Sequence, residues 1–366
     1  MKILQIHPSL ASGGIESMIT GISNELVMNN NVSFCSIFKI NTEDYNIQLL
    51  NNEINIYSLN KVKKGFSLKV IFQILLFIQK GHYQIVHIHG FFHYYFLSIL
   101  FLHHKCHFIY TVHSDAFMEN TPWEKRLFPI KKLFFKCNWI HPVTISANSQ
   151  KSFTNLYHIE SSLIKNGVAK PVLTDNYSDT LFHKRSLDTI ILFHAGRITK
   201  AKNQCVLCQA VQELINEGLD IRLFIAGVKE DLDIYQSLLP FFSDKIQYLG
   251  ERSDIRDLMS KADCLCLPSR WEGLPCVVLE ALSVGCVPIC APVGGIPEVI
   301  EDGKNGILAE DSSLSATKIA IRRYIKLTFD KRMSMREAAI QSFCQYDIAQ
   351  TAHNYENLYK DLLYIS

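Results

Sequence analysis

Short runs rich in β-branched and aromatic residues alternate with helix-length segments along nearly the whole chain, and this rhythm limits the fold more than any other feature of the sequence. Residues 2–6, 33–38, 54–58, 85–89, 108–112 and 142–145 have strand composition, and several are apolar on both faces, as parallel strands covered on both sides are. At residues 172–188 the rhythm gives way to polar and charged linker chemistry. It then resumes, with strands expected at 189–193, 222–226, 245–248, 264–267 and 287–290, and helices at 204–217, 255–261 and 275–284. Alternation of this kind builds parallel sheets with crossover helices, so the expected class is α/β, with two tandem Rossmann-like domains facing a central cleft. The expected boundaries are 1–172, a linker at 173–188, and 189–345. Residues 346–366, apolar at helical spacing, form a C-terminal helix for which a return to the first domain is one option.

The length of 366 residues agrees with two domains rather than one. With 48% apolar and 20% charged residues the chain can bury enough surface to order itself, which excludes a mainly disordered protein. Net charge is +2, the sum of +7 in residues 1–172 and −5 in residues 173–366. Bulk electrostatics therefore do not make it a nucleic-acid binder. Eleven scattered cysteines, mostly in apolar surroundings, fit reduced thiols and a cytoplasmic location. Met1 leads straight into a strand-like run, without the pattern of a signal peptide. The most apolar stretches, 66–79 and 91–102, fall short of the roughly 20 residues of a membrane span and are expected as buried helices.

The sharpest chemical pattern runs from Arg270 to Gly285. Pro275 suits the first turn of a helix and Gly285 the position just past its end. Glu272, Gly273 and Leu274 then form the loop entering the helix, where the backbone N–H groups of Gly273 and Leu274 make a site for a pyrophosphate. Glu280 lies further along the helix, where a carboxylate can accept from both hydroxyls of a ribose, and Glu272 stands at the mouth, where it can hold sugar hydroxyls. The plain alternative is an acidic helix start with one exposed glutamate. A second loop, Gly196 to Asn203, opens the helix expected at 204–217. In it Arg197 supplies a forked donor and Lys202 a point charge, a phosphate clamp able to replace a metal ion unless the loop is only solvated.

Gly13 and Gly14 follow the first strand and permit close backbone approach to an anion, although Glu16 beside them opposes a free pyrophosphate. His113 ends the strand at 108–112, where it can position a reacting sugar or simply pack in its loop. His87 and His89 alternate on one strand face, but no acid or cysteine stands at ligand spacing, so a metal site is not favoured. Cys205 and Cys208 form a C-x-x-C inside an expected helix and read as core residues. Asp231 and Asp233 form a D-x-D that reads as a helix cap rather than a metal site.

Residues 61–136 hold 11 Lys/Arg against 3 Asp/Glu. Within them Lys125, Arg126, Lys131 and Lys132 interleave with Phe and Leu, the composition of a segment lying on an anionic inner-leaflet surface or of a solvated helix with a buried stripe. No nucleic-acid recognition motif accompanies them.

Glu272 and Glu280 make an E-x7-E pattern. Together with Gly13-Gly14, His113, Gly196-Arg197, Lys202-Asn203, Gly273-Leu274-Pro275 and Gly294-Gly295 it resembles the retaining glycosyltransferases of family 4, most specifically over residues 189–308. The resemblance implies the GT-B fold and a metal-independent hexosyltransferase with no cofactor beyond its co-substrate. The donor is a nucleoside diphosphate sugar, a UDP-sugar first among them. The acceptor is a glycan or lipid-linked molecule of capsule, exopolysaccharide or lipopolysaccharide synthesis, met at the cytoplasmic face of the membrane. It also implies roles: Arg197, Lys202 and the Gly273 and Leu274 amides on the pyrophosphate, Glu280 on the ribose, Glu272 on sugar hydroxyls, Gly13 and Gly14 near the phosphates, and His113 beside the donor sugar. Family members commonly carry an acidic residue directly after the histidine, whereas here Ser114 precedes Asp115. A UDP-sugar 2-epimerase of the same fold and an inactive partner protein are the alternatives.

Overall fold

The strand-like runs assemble into two separate parallel sheets in the computed structural model, which describes residues 1–11, 13–62, 65–118, 122–173 and 189–364. Apart from residue 173, the expected linker lies outside the described residues. The chain divides into two compact units, one of residues 1–169 with 346–366, the other of residues 170–345.

In the first unit β1 (Lys2–His7), β2 (Asn31–Phe38), β3 (Asn55–Lys61), β4 (Ile85–His89), β5 (His107–Val112), β6 (Ile140–Thr144) and β7 (Ser162–Leu163) stand in the order β3-β2-β1-β4-β5-β6-β7. Between them run α1 (Gly14–Leu26), α2 (Tyr45–Gln48), α3 (Leu68–Gly81), α4 (Phe96–Leu102), α5 (Pro122–Lys136) and α6 (Ala147–Tyr157). In the second unit β8 (Ile190–Ala195), β9 (Ile221–Ala226), β10 (Ile246–Gly250), β11 (Cys264–Leu267), β12 (Val287–Cys290) and β13 (Ile307–Leu308) stand in the order β10-β9-β8-β11-β12-β13. Its helices are α7 (Gln204–Asn216), α8 (Leu232–Leu238), α9 (Ile255–Lys261), α10 (Cys276–Ser283), α11 (Leu314–Ile325) and α12 (Phe329–Phe343), and α13 (Ile348–Tyr364) returns to the first unit.

Each sheet reverses its winding once, between β1 and β4 in the first and between β8 and β11 in the second. Doubly wound sheets take their ligands at the carboxyl ends of the strands beside such a reversal. Gly13 and Gly14 follow β1, His113 follows β5 beside β4, and the loops holding Arg197, Lys202 and Glu272 follow β8 and β11. The last segment is tied to the first unit by backbone bonds from Val168 N to Tyr346 O (2.9 Å) and from Ile348 N to Val168 O (3.1 Å).

Several expectations need correction. The edge strands β7 and β13 are two residues long, too short to show a period, and were not anticipated. Nor were α11 and α12. Pro275 does not enter the helix: it is the extended N-cap of α10, with ψ 119°. The stretches 66–79 and 91–102 are not buried all round, because Leu68, Phe72 and Leu76 of α3 and Leu100 and Phe101 of α4 are exposed. Lys131 is not a surface cation. It is 3% exposed, with Nζ 4.1 Å from the ring centre of Tyr110 and within 6 Å of those of Phe92 and Tyr157. A position between the exposed Lys125 and Lys136 of α5 thus faces the core.

Candidate functional site

In the second unit the loops after β8, β9 and β11 are tied by backbone bonds to one another and to the end of β10. Ile198 N donates to Val228 O (2.8 Å), Gly227 N to Gly250 O (2.8 Å) and Arg270 N to Ala201 O (2.8 Å). Asn203 adopts a left-handed conformation (φ 59°), from which its Nδ2 donates to Pro268 O (3.0 Å) and Ser312 O (2.9 Å) and its Oδ1 accepts from Arg270 Nε (3.2 Å). The cationic loop is thereby pinned to the loop that enters α10.

The pinning brings Lys202 and Glu272 together. Lys202 Nζ lies 2.7 Å from Glu272 Oε1, and the two side chains are only 18% and 10% exposed. Such a pair is little screened and geometrically defined. Arg197, in the same loop, reaches Glu230 at 2.8 Å but is 59% exposed, so its guanidinium can swing to a ligand at small cost. Gly294, at φ 59°, lets this arrangement close: a Cβ there would stand 2.2 Å from Glu272 O and 2.6 Å from Gly273 O. Next to it Gly295 N donates to Gly273 O at 2.6 Å.

Glu280 lies on α10 facing Arg256 of α9, Nη2 to Oε1 3.4 Å. The buried Cys276 thiol, pushed up to about 12 by burial, also feels the charges of Glu280, Arg256 and Lys202. Arg256 was not singled out in the sequence, because an arginine on an amphipathic helix carries no local signal. The same is true of His194 and Gln204. His194 Nδ1 donates to Cys266 O (2.8 Å), its Nε2 accepts from Gln204 Nε2 (3.1 Å), and Gln204 Nε2 also donates to Arg197 O (2.9 Å). These buried groups hold the backbone beneath Arg197. Asp231 caps α8, accepting from Ile234 N at 3.0 Å. Cys205 and Cys208 lie on α7, the latter buried.

In the first unit His7, His89 and His113 end or directly follow the neighbouring strands β1, β4 and β5. His113 Nε2 stands 3.0 Å from His89 Nδ1, and the two rings stack at 5.2 Å. Burial lowers His113 to about 3 and His7 to about 4, so both are neutral imidazoles at neutral pH. Asp115 does not orient His113; its Oδ1 accepts from Phe117 N (2.8 Å), in the turn after β5. Gly13 and Gly14 begin α1, and the Glu16 carboxylate folds against Gly13, where a Cβ would meet it at 2.2 Å. His87 turns both ring nitrogens to hydroxyls, Tyr359 at 2.6 Å and Thr111 at 2.7 Å.

On α5 Lys125 and Arg126 are exposed and Lys132 is half-buried. Arg126 lies 5.0 Å over the Trp123 ring, which stacks on Phe66.

Comparison with known proteins places both units. A family model described as glycosyl transferases group 1 matches residues 180–342, and one described as glycosyltransferase family 4 matches residues 12–169. A D-inositol 3-phosphate glycosyltransferase of Corynebacterium aurimucosum is 29% identical over 189 residues, covering 49% of this chain and 45% of its own. An N,N'-diacetylbacillosaminyl-diphospho-undecaprenol alpha-1,3-N-acetylgalactosaminyltransferase of Campylobacter jejuni is 26% identical over 268 residues, covering 72% of this chain and 62% of its own. The chain thus spans about half the length of the curated relatives it matches first. Among solved structures, Anabaena HepE in complex with UDP-glucose superposes with a TM-score of 0.78 at 17% identity, over 99% of this chain and 100% of that one.

Proposed function

Because the chain belongs to glycosyltransferase family 4, with the GT-B fold, we propose that it is a retaining hexosyltransferase that moves a sugar from a UDP-sugar to a glycan or lipid-linked acceptor of cell-surface polysaccharide synthesis. The observation that carries this reading is the 2.7 Å pair of Lys202 and Glu272, held where the cationic loop meets the start of α10. In the absence of ligand the carboxylate is the lysine's counter-ion. When a diphosphate enters, Lys202 turns to it with Arg197 and the Gly273 and Leu274 amides, and Glu272 is released to the sugar hydroxyls. Once turned to the bound donor, these cations need no further reorganisation as negative charge grows on the leaving diphosphate. That is how this chain would dispense with a metal ion.

In the same reading Glu280, oriented by Arg256, accepts from the ribose. Gly13 and Gly14 supply backbone donors near the phosphates, with Glu16 moving off Gly13. Neutral His113 lies beside the sugar, where it can accept or donate a hydrogen bond without adding charge. The UDP and UDP-glucose of the HepE structures support a uridine donor, and the undecaprenol-linked substrate named for the Campylobacter relative supports a lipid-linked acceptor. Membrane contact at the inner leaflet is favoured by exposed Lys125 and Arg126, by Lys132, and by the exposed apolar residues of α3 and α4. The deciding experiment is calorimetry with a panel of nucleoside diphosphate sugars, followed by incubation of the binder with and without lipid-linked acceptor. Release of UDP and an α-linked product only with acceptor is expected. Interconversion of the sugar with no acceptor present would establish an epimerase instead.

A further inference from the structure

The first sheet carries an unusual polar row. Gln5 of β1, His87 and His89 of β4 and Thr111 of β5 are all 0–1% exposed, yet a parallel strand covered on both faces normally fills such positions with aliphatic residues. In register Gln5 pairs with His87 and His89 with Thr111, so the four share one face of the sheet, and His113 follows Thr111 two residues on. Tyr355 and Tyr359, one turn apart on α13, cover that face and are wholly buried.

Every link of the row is within hydrogen-bonding distance. From His113 Nε2 it runs to His89 Nδ1 (3.0 Å), from His89 Nε2 to Gln5 Oε1 (2.8 Å), and from Gln5 Nε2 to Tyr359 OH (3.4 Å). It continues from Tyr359 OH to His87 Nδ1 (2.6 Å), from His87 Nε2 to Thr111 Oγ1 (2.7 Å), and from Thr111 to Tyr355 OH (3.1 Å). Burial lowers all three histidines, so each ring is neutral and bears a single N–H.

Gln5 sets the direction. Its Oε1 can only accept, so His89 carries its proton on Nε2 and offers a lone pair at Nδ1. His113 must then donate from Nε2, which leaves Nδ1 as its basic nitrogen. Further along, the Gln5 amide donates to Tyr359, whose hydroxyl donates to His87, whose Nε2–H donates to Thr111. No link conflicts with its neighbours. The reverse direction is reached by turning over the Gln5 amide and moving the protons of His89 and His113 as well as those beyond it.

We propose that His89, Gln5 and Tyr359 are positioning residues that hold His113 as its Nε2–H tautomer with Nδ1 basic, through a buried chain that the C-terminal helix completes. The proposal rests on the reading that places His113 at the donor sugar only for its effect on turnover; the tautomer follows from the orientation of the Gln5 amide within the chain. Which ring nitrogen of a histidine bears the proton is set by the hydrogen bond the other groups impose on it, and at metal-binding histidines loss of such an outer partner costs about 10–100-fold.

The test is the nitrogen NMR spectrum of the full chain labelled with [15N]histidine, with His113 assigned from the His113→Asn variant. The wild-type protein should show His113 protonated at Nε2. Gln5→Leu, which removes the acceptor, should shift both His113 nitrogens toward a tautomer mixture and lower UDP release from UDP-glucose roughly tenfold, with UDP affinity by calorimetry kept within about twofold. Gln5→Glu, whose carboxylate can still accept from His89, should restore both. A wild-type His113 protonated at Nδ1 would overturn the proposal whatever the variants do, and so would unchanged His113 resonances in Gln5→Leu. If His113→Asn released UDP at the wild-type rate, the placement of His113 at the sugar would fall, while the spectra would still decide the chain.

Discussion

Lys202 and Glu272 neutralise one another at 2.7 Å, so removing either leaves a poorly solvated charge as well as an empty role. Lys202→Ala should lower kcat/KM by at least about a hundredfold, because the lost cation faces charge that increases as the diphosphate leaves. Steady-state rates with the UDP-sugar identified by calorimetry check this, and a variant as fast as the parent would take Lys202 off the diphosphate. Glu280→Ala belongs to a different class. Its bonds to a ribose would be the same before and during transfer, so KM should rise more than kcat falls. If donor affinity measured by calorimetry did not change, Glu280 would not be at the ribose. Gly294→Ala should impair both parameters, since a Cβ at 2.2 Å from Glu272 O forces the whole 272–273 loop outward.

Along α5, residues of the same type divide into two jobs. Lys125 and Arg126 are exposed and Lys132 half-buried, whereas Lys131 points among Tyr110, Phe92 and Tyr157. Cations near an anionic surface contribute about 1 kcal/mol each. Neutralising Lys125, Arg126 and Lys132 together should therefore abolish co-sedimentation with phosphatidylserine vesicles at low salt and leave nucleotide affinity alone. Equal sedimentation of variant and parent would reduce the patch to a solvated face. Lys131→Ala should show the opposite pattern, keeping vesicle binding while losing on the order of 2 kcal/mol of stability, as a desolvated cation–π contact and its packing disappear. Urea unfolding measures that loss.

For the molecule as a whole, the buried histidines dictate the response to acid. His7 and His93 are lowered to about 4, His113 to about 3, and His87 and His89 well below the ordinary value, all in the first unit and all chiefly by desolvation. His194, lowered to about 4 by the same cause, lies in the second. The unfolded chain takes up protons at these sites as pH falls below about 6.5, while the folded chain refuses them until its lowered values are reached. Stability is thus fully present above about pH 6.5 and drains away toward pH 4, at about 1.4 kcal/mol per pH unit for each histidine. The first unit should unfold before the second. Trp123 and Trp139 report on the first and Trp271 on the second, so fluorescence of a Trp271→Phe variant during acid titration separates them. A second unit that unfolds first would contradict this account.

The class of fold and the pattern of the two candidate loops were legible in the amino-acid sequence for one reason: both are local. A strand covered on two faces is largely apolar, so β11 and most of β8 declare themselves, and the residues from Gly196 to Asn203 and from Arg270 to Gly285 carry their pattern within one loop and one loop with its helix. Contacts between distant segments leave no such record. Lys131 carries no local mark that separates it from the exposed lysines of its helix, and only the packing of α5 against Phe92, Tyr110 and Tyr157 decides that it is buried. The two-residue strands β7 and β13 exist because an adjacent strand offers its edge. His87 and His89 stood out as an alternating pair, but what they bond depends on Tyr359, 272 residues away from His87, arriving on the last helix. A buried polar group must find its partner somewhere in the fold, and the sequence states only the need.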